Sequence, residues 1–131
     1  MLRRTFVVTS VALATHRLIA QEGHPLRGTW HGSFGPDAKT RTDCTLVMDW
    51  DGKDVVGTLN PGLRSAPLQK TNFDAPKWMF HFEADYKDRS GKVEHLTVDA
   101  KIEDPTHPRR KLVGTYTMGS QKGDFEAQRD N

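Results

Sequence analysis

The chain has 131 residues and a formal net charge of +2, with 35% hydrophobic and 27% charged residues. This length suits one domain with a single modest core, and the composition is that of a globular rather than a disordered protein. Acidic residues interleave with the basic ones, and the densest basic run, Arg109 to Lys111, follows a proline-containing turn. A nucleic-acid binder concentrates Lys and Arg on one face beside stacking aromatics, so we expect no nucleic-acid partner.

The N-terminus has the pattern of a secretory signal peptide. Arg3 and Arg4 are followed by an apolar run, from Thr5 to Ala14, that contains no acidic residue. Cleavage after Ala14 or after Ala20 fits the pattern, and the second gives the more usual length. We therefore expect residues 1–20 to be removed and residues 21–131 to form one exported domain, periplasmic or extracellular. The run is too short to span a bilayer, and an uncleaved N-terminal helix is the alternative.

After Pro25 the chain consists of short segments in which apolar and polar residues alternate, separated by Gly, Pro, Asn and Asp. No gap is long enough for the helix that a parallel crossover needs, so the strands form an antiparallel up-and-down meander. Closure hides the edges, which predicts an all-β small barrel. The eight predicted strands are Leu26–Phe34, Cys44–Trp50, Val55–Leu59, Leu68–Phe73, Lys77–Tyr86, Lys92–Glu103, Lys111–Met118 and Gly123–Arg129.

Three turns predict how neighbouring strands pair. We expect a two-residue turn at Asp51-Gly52, a five-residue loop from Asp88 to Lys92, and a four-residue turn from Gly119 to Lys122. These turns pair Trp50 with Lys53, Met48 with Val55, Ala84 with Leu96, Phe82 with Val98, Phe80 with Ala100, Trp78 with Ile102, Tyr116 with Phe125 and Gly114 with Ala127.

These pairings place one set of large apolar side chains on the inner face. A barrel of eight strands has an interior that side chains can fill, which is one interpretation of the set. In the other, the upper half leaves an aromatic pocket for a ligand, with Arg64 on a rim loop meeting an anionic group. The predicted inner residues are Trp30, Phe34, Leu46, Met48, Trp50, Trp78, Phe80, Phe82, Leu96, Val98, Ile102, Leu112, Tyr116 and Phe125; the candidate ligand-binding residues are Trp50, Trp78, Phe80, Phe82, Tyr116 and Arg64.

The opening strand carries a Gly-x-Trp motif, Gly28 to Trp30, and two later strands contain Gly-Thr pairs, at Gly57 and Gly114. This pattern resembles the calycin group of lipocalins, avidins and small lipocalin-like domains of secreted bacterial proteins. The resemblance implies a closed barrel in which Trp30 packs at the closed end beneath a basic residue of the last strand, here Arg129. It also implies a non-catalytic binder of a small apolar or amphipathic ligand.

The outward face of the predicted sheet carries pairs of histidine and carboxylate side chains on neighbouring strands. The five-residue loop sets Asp85 opposite His95, His81 opposite Asp99, and Glu83 opposite Thr97. Such pairs suit acid–base catalysis or a metal site, but cross-strand charge complementarity explains them equally well. We therefore assign no catalytic residue, metal or cofactor.

Two other functions stay open. One is an extracellular protein-interaction or self-assembly module, which requires a filled interior and an apolar outer patch. The other is a small hydrolase or isomerase, which requires His81 and Asp99 to face inward. Cys44 is the single cysteine and cannot form an intrachain disulfide.

Overall fold

The computed structural model describes residues 24–130, so the expected signal peptide lies outside the described residues. Within this range the chain forms nine strands and a three-residue 3-10 turn at Ala75–Lys77, and no helix there is long and apolar enough to cross a membrane. The strands are β1 (Gly28–Gly35), β2 (Thr42–Trp50), β3 (Val55–Leu59), β4 (Ala66–Pro67), β5 (Gln69–Asp74), β6 (Met79–Lys87), β7 (Val93–Glu103), β8 (Lys111–Met118) and β9 (Gln121–Arg129).

The strands form one antiparallel sheet that curls into a nearly closed barrel. Their order is β4-β3-β2-β1-β9-β8-β7-β6-β5, so β1 joins the last strand and the sheet edges are β4 and β5. The Leu68 amide, between β4 and β5, donates to the Gly57 carbonyl at 3.0 Å and continues the pairing of β3 with β4. Beyond it β5 passes β3 without ladder pairing, and Thr71 Oγ1 bridges this gap by donating to the Val55 carbonyl at 2.6 Å. We call this gap between β3 and β5 the seam; it is where the barrel is incomplete. The sequence correctly predicts an all-β barrel, although with eight strands rather than nine.

Side chains fill the barrel interior. Phe82 packs edge-on against Phe125, with ring centroids 5.9 Å apart, and Phe34 against Tyr116 at 4.9 Å. Burying a side chain of this size contributes about 1.5–3 kcal/mol before conformational entropy is subtracted. Of the predicted inner residues all but Trp50 and Trp78 are buried, joined by Leu26, Cys44, Val55, Leu59, Ala66, Ala84, Tyr86, Ala100 and Ala127.

The pairing of β6 with β7 confirms the five-residue loop. Phe82 lies opposite Val98, and Asp88 Oδ1 accepts hydrogen bonds from the amides of Ser90 and Lys92, which fixes the loop. Alternation decides this register, because a slip of one residue would turn the phenyl rings outward and the charged side chains inward.

The other two predicted registers are wrong, each by two residues. Asp51 Oδ1 accepts hydrogen bonds from the amides of Lys53 and Asp54, which stabilises a four-residue loop and pairs Trp50 with Val55. At the β8–β9 turn, Gly119 has a φ of 62°, so a two-residue turn suffices and Tyr116 pairs with Gly123. A shift of two residues keeps every side chain on its face, and the predicted core therefore survives both errors.

Trp78 also differs from its predicted position in a strand. Pro76 is the second residue of the 3-10 turn, and Trp78 follows the turn in the left-handed region, with φ of 57°, before β6 begins at Met79. The Trp78 carbonyl still accepts a hydrogen bond from the Ile102 amide, at 2.8 Å. The side chain, however, is 37% exposed.

One end of the barrel is covered by Trp30. Its Nε1 donates to the Leu26 carbonyl at 2.9 Å, and its partner in the β1–β9 ladder is Arg129. The Arg129 guanidinium donates to the carbonyls of Arg27 and Pro108. Gly28 leaves room for it, because a Cβ at that position would lie 2.7 Å from Arg129 Nε. A tryptophan of the first strand beside a basic residue of the last is compatible with the calycin-like fold.

Candidate functional site

An open cleft of about 450 Å³ lies at one end of the seam, where β2 ends, β3 begins and β5 ends. The loop Asp51 to Asp54 borders it on one side and the 3-10 turn on the other. Its lining residues are His24, Pro25, Trp50, Lys53, Asp54, Val55, Thr71, Asn72, Phe73, Ala75 and Trp78. We call this the aromatic cleft.

Four rings follow one another along the cleft. His24 stacks on Trp50, with ring centroids 4.6 Å apart and an interplanar angle of 13°, and meets Phe73 edge-on at 5.5 Å. Phe73 in turn lies 6.2 Å from Trp78. Such flat apolar surfaces suit a planar or apolar ligand, because aromatic pairs in offset or edge geometry gain about 0.5–1.5 kcal/mol beyond their area burial.

The surroundings of His24 favour its neutral form. Burial lowers its pKa, and the nearby Arg110 guanidinium lowers it further, against a smaller opposing effect of Asp49. Its Nδ1 accepts a hydrogen bond from the Leu26 amide at 3.2 Å, so the ring proton is on Nε2. Within residues 24–130 Nε2 has no hydrogen-bond partner and is not buried. Nε2 is the donor atom that this ring would offer to a polar group of a ligand in the cleft.

The six sequence-predicted ligand-binding residues lie in three places. Trp50 and Trp78 line the aromatic cleft. Three others are buried in the filled core, where the Tyr116 hydroxyl donates to Gln121 Oε1 at 3.0 Å. Arg64 is exposed at the opposite end of the barrel, beside Tyr86. The core residues are Phe80, Phe82 and Tyr116.

Sequence reasoning missed two rings of the cleft. Phe73 ends a predicted strand and gives no sign of facing outward at the seam, and His24 precedes the first strand without any periodic pattern. One signal in the sequence was Pro76, because a proline restricts the preceding residue and favours a turn. A turn there would have indicated that the strand ends near Phe73 and that Trp78 lies outside the next strand.

The opposite end of the barrel carries a polar depression of about 540 Å³. Arg64 and Arg89 flank the buried Tyr86 there. Burial raises the pKa of its phenol, against smaller opposing effects of the two guanidinium groups. Arg41 beside them is held by Asp124, at 2.8 Å, and by the Ser33 carbonyl. Carboxylates lie among the arginines, so this end has mixed charge.

Five side chains on the outer face of β6 and β7 form a continuous network that alternates carboxylate and imidazole. His81 bonds Asp99 through Nδ1 and Glu83 through Nε2, both at 2.8 Å. His95 bonds Asp85 through Nδ1 at 2.9 Å and the second Glu83 oxygen through Nε2 at 2.6 Å. Glu83 joins the two halves, and we call the five residues the histidine–carboxylate network.

The network favours charged side chains throughout. Hydrogen bonds from His95 and then His81 lower the pKa of Glu83 to about 2. Partial burial lowers the pKa of His81, but its bonds to Glu83 and Asp99 outweigh that effect and raise it overall. Bonds to Asp85 and Glu83 raise the pKa of His95. An imidazole that donates through both nitrogens is an imidazolium, which agrees with these directions.

The network lies on the barrel wall, not in the interior. His81 and Asp99 alternate with the buried Phe80, Phe82, Val98 and Ala100, so the inward orientation required of an enzyme that uses this pair is not found. Among residues 24–130 no group of three or more His, Cys, Asp or Glu is arranged to hold a metal ion. Cys44 is buried, and burial raises its thiol pKa to about 12.

Comparison with known proteins gives no relative from which to carry over a function: no protein-family model, no curated protein and no solved structure matches the chain significantly.

Proposed function

We propose that this chain is an exported, lipocalin-like barrel that binds a small apolar or amphipathic ligand without catalysis, and that the ligand binds in the aromatic cleft. Because the interior is filled, the proposal uses the side of the barrel at the seam rather than its axis. The nearly closed antiparallel barrel, which is compatible with a calycin-like fold, and the signal-peptide pattern of residues 1–20 support the exported binder.

Trp78 is the observation that carries the proposal. A non-glycine residue in the left-handed region costs about 1–3 kcal/mol and persists only where the surrounding structure holds it. Here two backbone hydrogen bonds, to Ala75 and from Ile102, hold a large apolar ring partly in solvent beside Phe73. Trp78 ends the 3-10 turn in this conformation, and a ligand contact would give its exposed ring a function that burial in the core does not provide.

The size and lining of the cleft indicate the ligand class. Small-molecule sites occupy about 300–1,000 Å³ and combine apolar walls with a few polar groups. The cleft falls within that range, with rings on its walls and Lys53, Asp54, Thr71 and Asn72 beside them. A compact ligand with a flat apolar part and one polar end matches this lining.

The self-association alternative requires a continuous apolar patch. In residues 24–130 the exposed large apolar side chains lie on different strands and loops: Val47, Val56, Leu63, Trp78, Val93 and Val113. The filled interior satisfies the other requirement of this alternative, whereas these exposed side chains are spread over separate elements of the described chain.

Titration with the fluorescent apolar probe 1-anilinonaphthalene-8-sulfonate tests the proposal. Trp78→Gly removes the ring and also relieves the left-handed backbone, so the fold is retained. We expect saturable binding to the wild type and at least about tenfold weaker binding to Trp78→Gly, equivalent to about 1.4 kcal/mol. Val93→Ala, which shortens an exposed side chain on β7, is the matched control. Equal affinity in all three proteins would contradict the proposal.

A further inference from the structure

We propose that the histidine–carboxylate network is a proton-dependent clamp on the edge strand β5, and that it thereby regulates the aromatic cleft, whose wall β5 forms. The effect on ligand binding in the cleft rests on the proposed function, whereas the effect on how firmly β5 is held does not depend on it.

Polar side chains connect the network to β5. Gln69 Nε2 donates to Asp85 Oδ2 at 3.1 Å, and Lys70 Nζ lies 3.9 Å from Glu83 Oε1. The same two carboxylates accept the imidazole bonds of His95. Imidazoles on β6 and β7 therefore hold the carboxylates that β5 contacts.

The backbone holds β5 less firmly than the other long strands. Its ladder with β6 is irregular between Gln69 and Asn72, where Lys70 adopts a left-handed φ of 49°. On its other side lies the seam, bridged within β5 by the Thr71 hydroxyl. The last residues of the strand reach the cleft, where Thr71, Asn72 and Phe73 line the wall. A change in how Gln69 and Lys70 are held is thus transmitted along one short strand to the cleft.

The charges of the network explain its proton dependence. With both imidazoles protonated, their two charges and that of Lys70 balance the carboxylates of Glu83, Asp85 and Asp99. Loss of the two protons leaves each neutral imidazole a single N–H for its two carboxylate partners. The three carboxylates then attract Lys70 more strongly but repel one another, which disturbs the position in which Asp85 accepts a hydrogen bond from Gln69. Lys87 and Lys101 occupy the next outward positions on β6 and β7, while β8 presents the uncharged Thr115 and Thr117 beside β7.

The pH window follows from the directions of the pKa shifts. A histidine with a raised pKa in the folded state stabilises fully below its unfolded pKa of 6.5, and the effect is lost as the pH rises through the folded value. Glu83 stabilises above its unfolded pKa of 4.5, and the effect is lost as the pH falls through about 2. The clamp is therefore strongest between pH 4.5 and pH 6.5 and weakens toward alkaline pH.

The pKa shift of His24, inside the cleft, is opposite in direction to the shifts of His81 and His95. Burial lowers the pKa of His24, so it gains a proton only at more acidic pH. A charged ring there disfavours a purely apolar ligand but attracts the sulfonate of an anionic probe. With 1-anilinonaphthalene-8-sulfonate as the probe, stronger binding on acidification would thus report His24, whereas weaker binding at alkaline pH reports the clamp.

Hydrogen exchange of the β5 amides, corrected for intrinsic rates, tests the clamp from about pH 5 to about pH 9. In the wild type we expect the protection of Thr71 and Phe73 to fall severalfold as the pH rises. In His81→Gln/His95→Gln protection is low at every pH. His31→Gln is the matched control, because His31 pairs with Asp130 on a distant part of the surface. The wild-type profile decides the question even where the double variant does not fold.

Titration with 1-anilinonaphthalene-8-sulfonate over the same pH range completes the test. Affinity that falls together with β5 protection in the wild type and in His31→Gln, but not in the double variant, supports the proposal. Protection that does not change with pH overturns it, as does affinity that stays constant while protection falls. Protection that falls as expected with no probe binding at any pH supports the clamp and overturns the proposed function instead.

Discussion

The two ends of the barrel are covered by different kinds of side chain. At one end Trp30 is fully buried, and Arg129 and Arg110 bond the carbonyls of the surrounding segments. At the other end Phe34 meets Tyr86 edge-on, and arginines and carboxylates lie outside them. Neither end opens into the interior. The end that carries the most aromatic surface is sealed along its axis and open at its side, beside the seam.

This difference separates two roles of tryptophan that composition alone cannot distinguish. Trp30 has a hydrogen-bonded indole and no exposed surface, whereas Trp78 has a strained backbone and an exposed ring at the same end. These features give the first a structural role, and the proposed function gives the second a role in ligand contact. The predictions below test this distinction and the contrast between the ends.

The largest effect is expected for Trp30→Ala. It leaves a cavity at the sealed end, so we expect the free energy of unfolding to fall by about 3–5 kcal/mol in urea denaturation. Trp78→Gly, examined in the same way, is expected to change that free energy by less than about 1 kcal/mol, because the left-handed backbone is relieved. Similar losses in both variants would contradict the assignment of separate roles.

A smaller loss is expected for Arg129→Met. The substitution keeps most of the apolar stem but removes donors to the Arg27 and Pro108 carbonyls, which are reached by solvent. Hydrogen bonds from charged groups contribute about 1.5–3 kcal/mol, and we expect the lower part of that range because the site is exposed. Lys122→Met, on the exposed part of the same strand, is the control and should leave the unfolding midpoint in urea unchanged.

The sequence predicts the barrel and its core well because both depend on alternation. The predicted registers of the β2–β3 and β8–β9 pairs are wrong by two residues. A shift of two residues still leaves Leu46, Met48 and Tyr116 facing inward. The site could not be predicted in the same way. It depends on a left-handed residue after a 3-10 turn and on His24, whose stacking on Trp50 no local pattern encodes.

The network shows the opposite case, in which one correct register places several polar groups. The β6–β7 loop fixes His81 opposite Asp99 and His95 opposite Asp85, as the sequence predicts. The central position of Glu83 between the two imidazoles is a side-chain conformation, and pairing alone does not give it.

A still smaller effect is expected for Tyr116→Phe. The phenol donates one hydrogen bond, to Gln121 Oε1, near the arginine-bearing end. Its loss should cost about 0.5–1.5 kcal/mol in the free energy of unfolding and leave probe binding at the aromatic cleft unchanged. Weaker probe binding in this variant would indicate that the ligand reaches the barrel interior.

The smallest effect is expected for Arg64→Ala. Arg64 lies at the opposite end from the aromatic cleft, so removing its charge should leave the affinity for 1-anilinonaphthalene-8-sulfonate unchanged. Lys53→Ala is the comparison, because Lys53 lines the cleft and its charge attracts the sulfonate. A loss of affinity in Arg64→Ala alone would move the anionic part of the ligand to the arginine-bearing end.

The most direct test of the central claim uses the three tryptophans as reporters. In a proton–nitrogen correlation spectrum, the indole signals of Trp30, Trp50 and Trp78 can be assigned by single substitutions and followed during titration with the probe. Binding in the aromatic cleft predicts that the Trp50 and Trp78 signals shift together with one dissociation constant while the Trp30 signal stays in place. A shift of Trp30 that matches the others, or a saturating titration in which neither cleft signal moves, would contradict the claim.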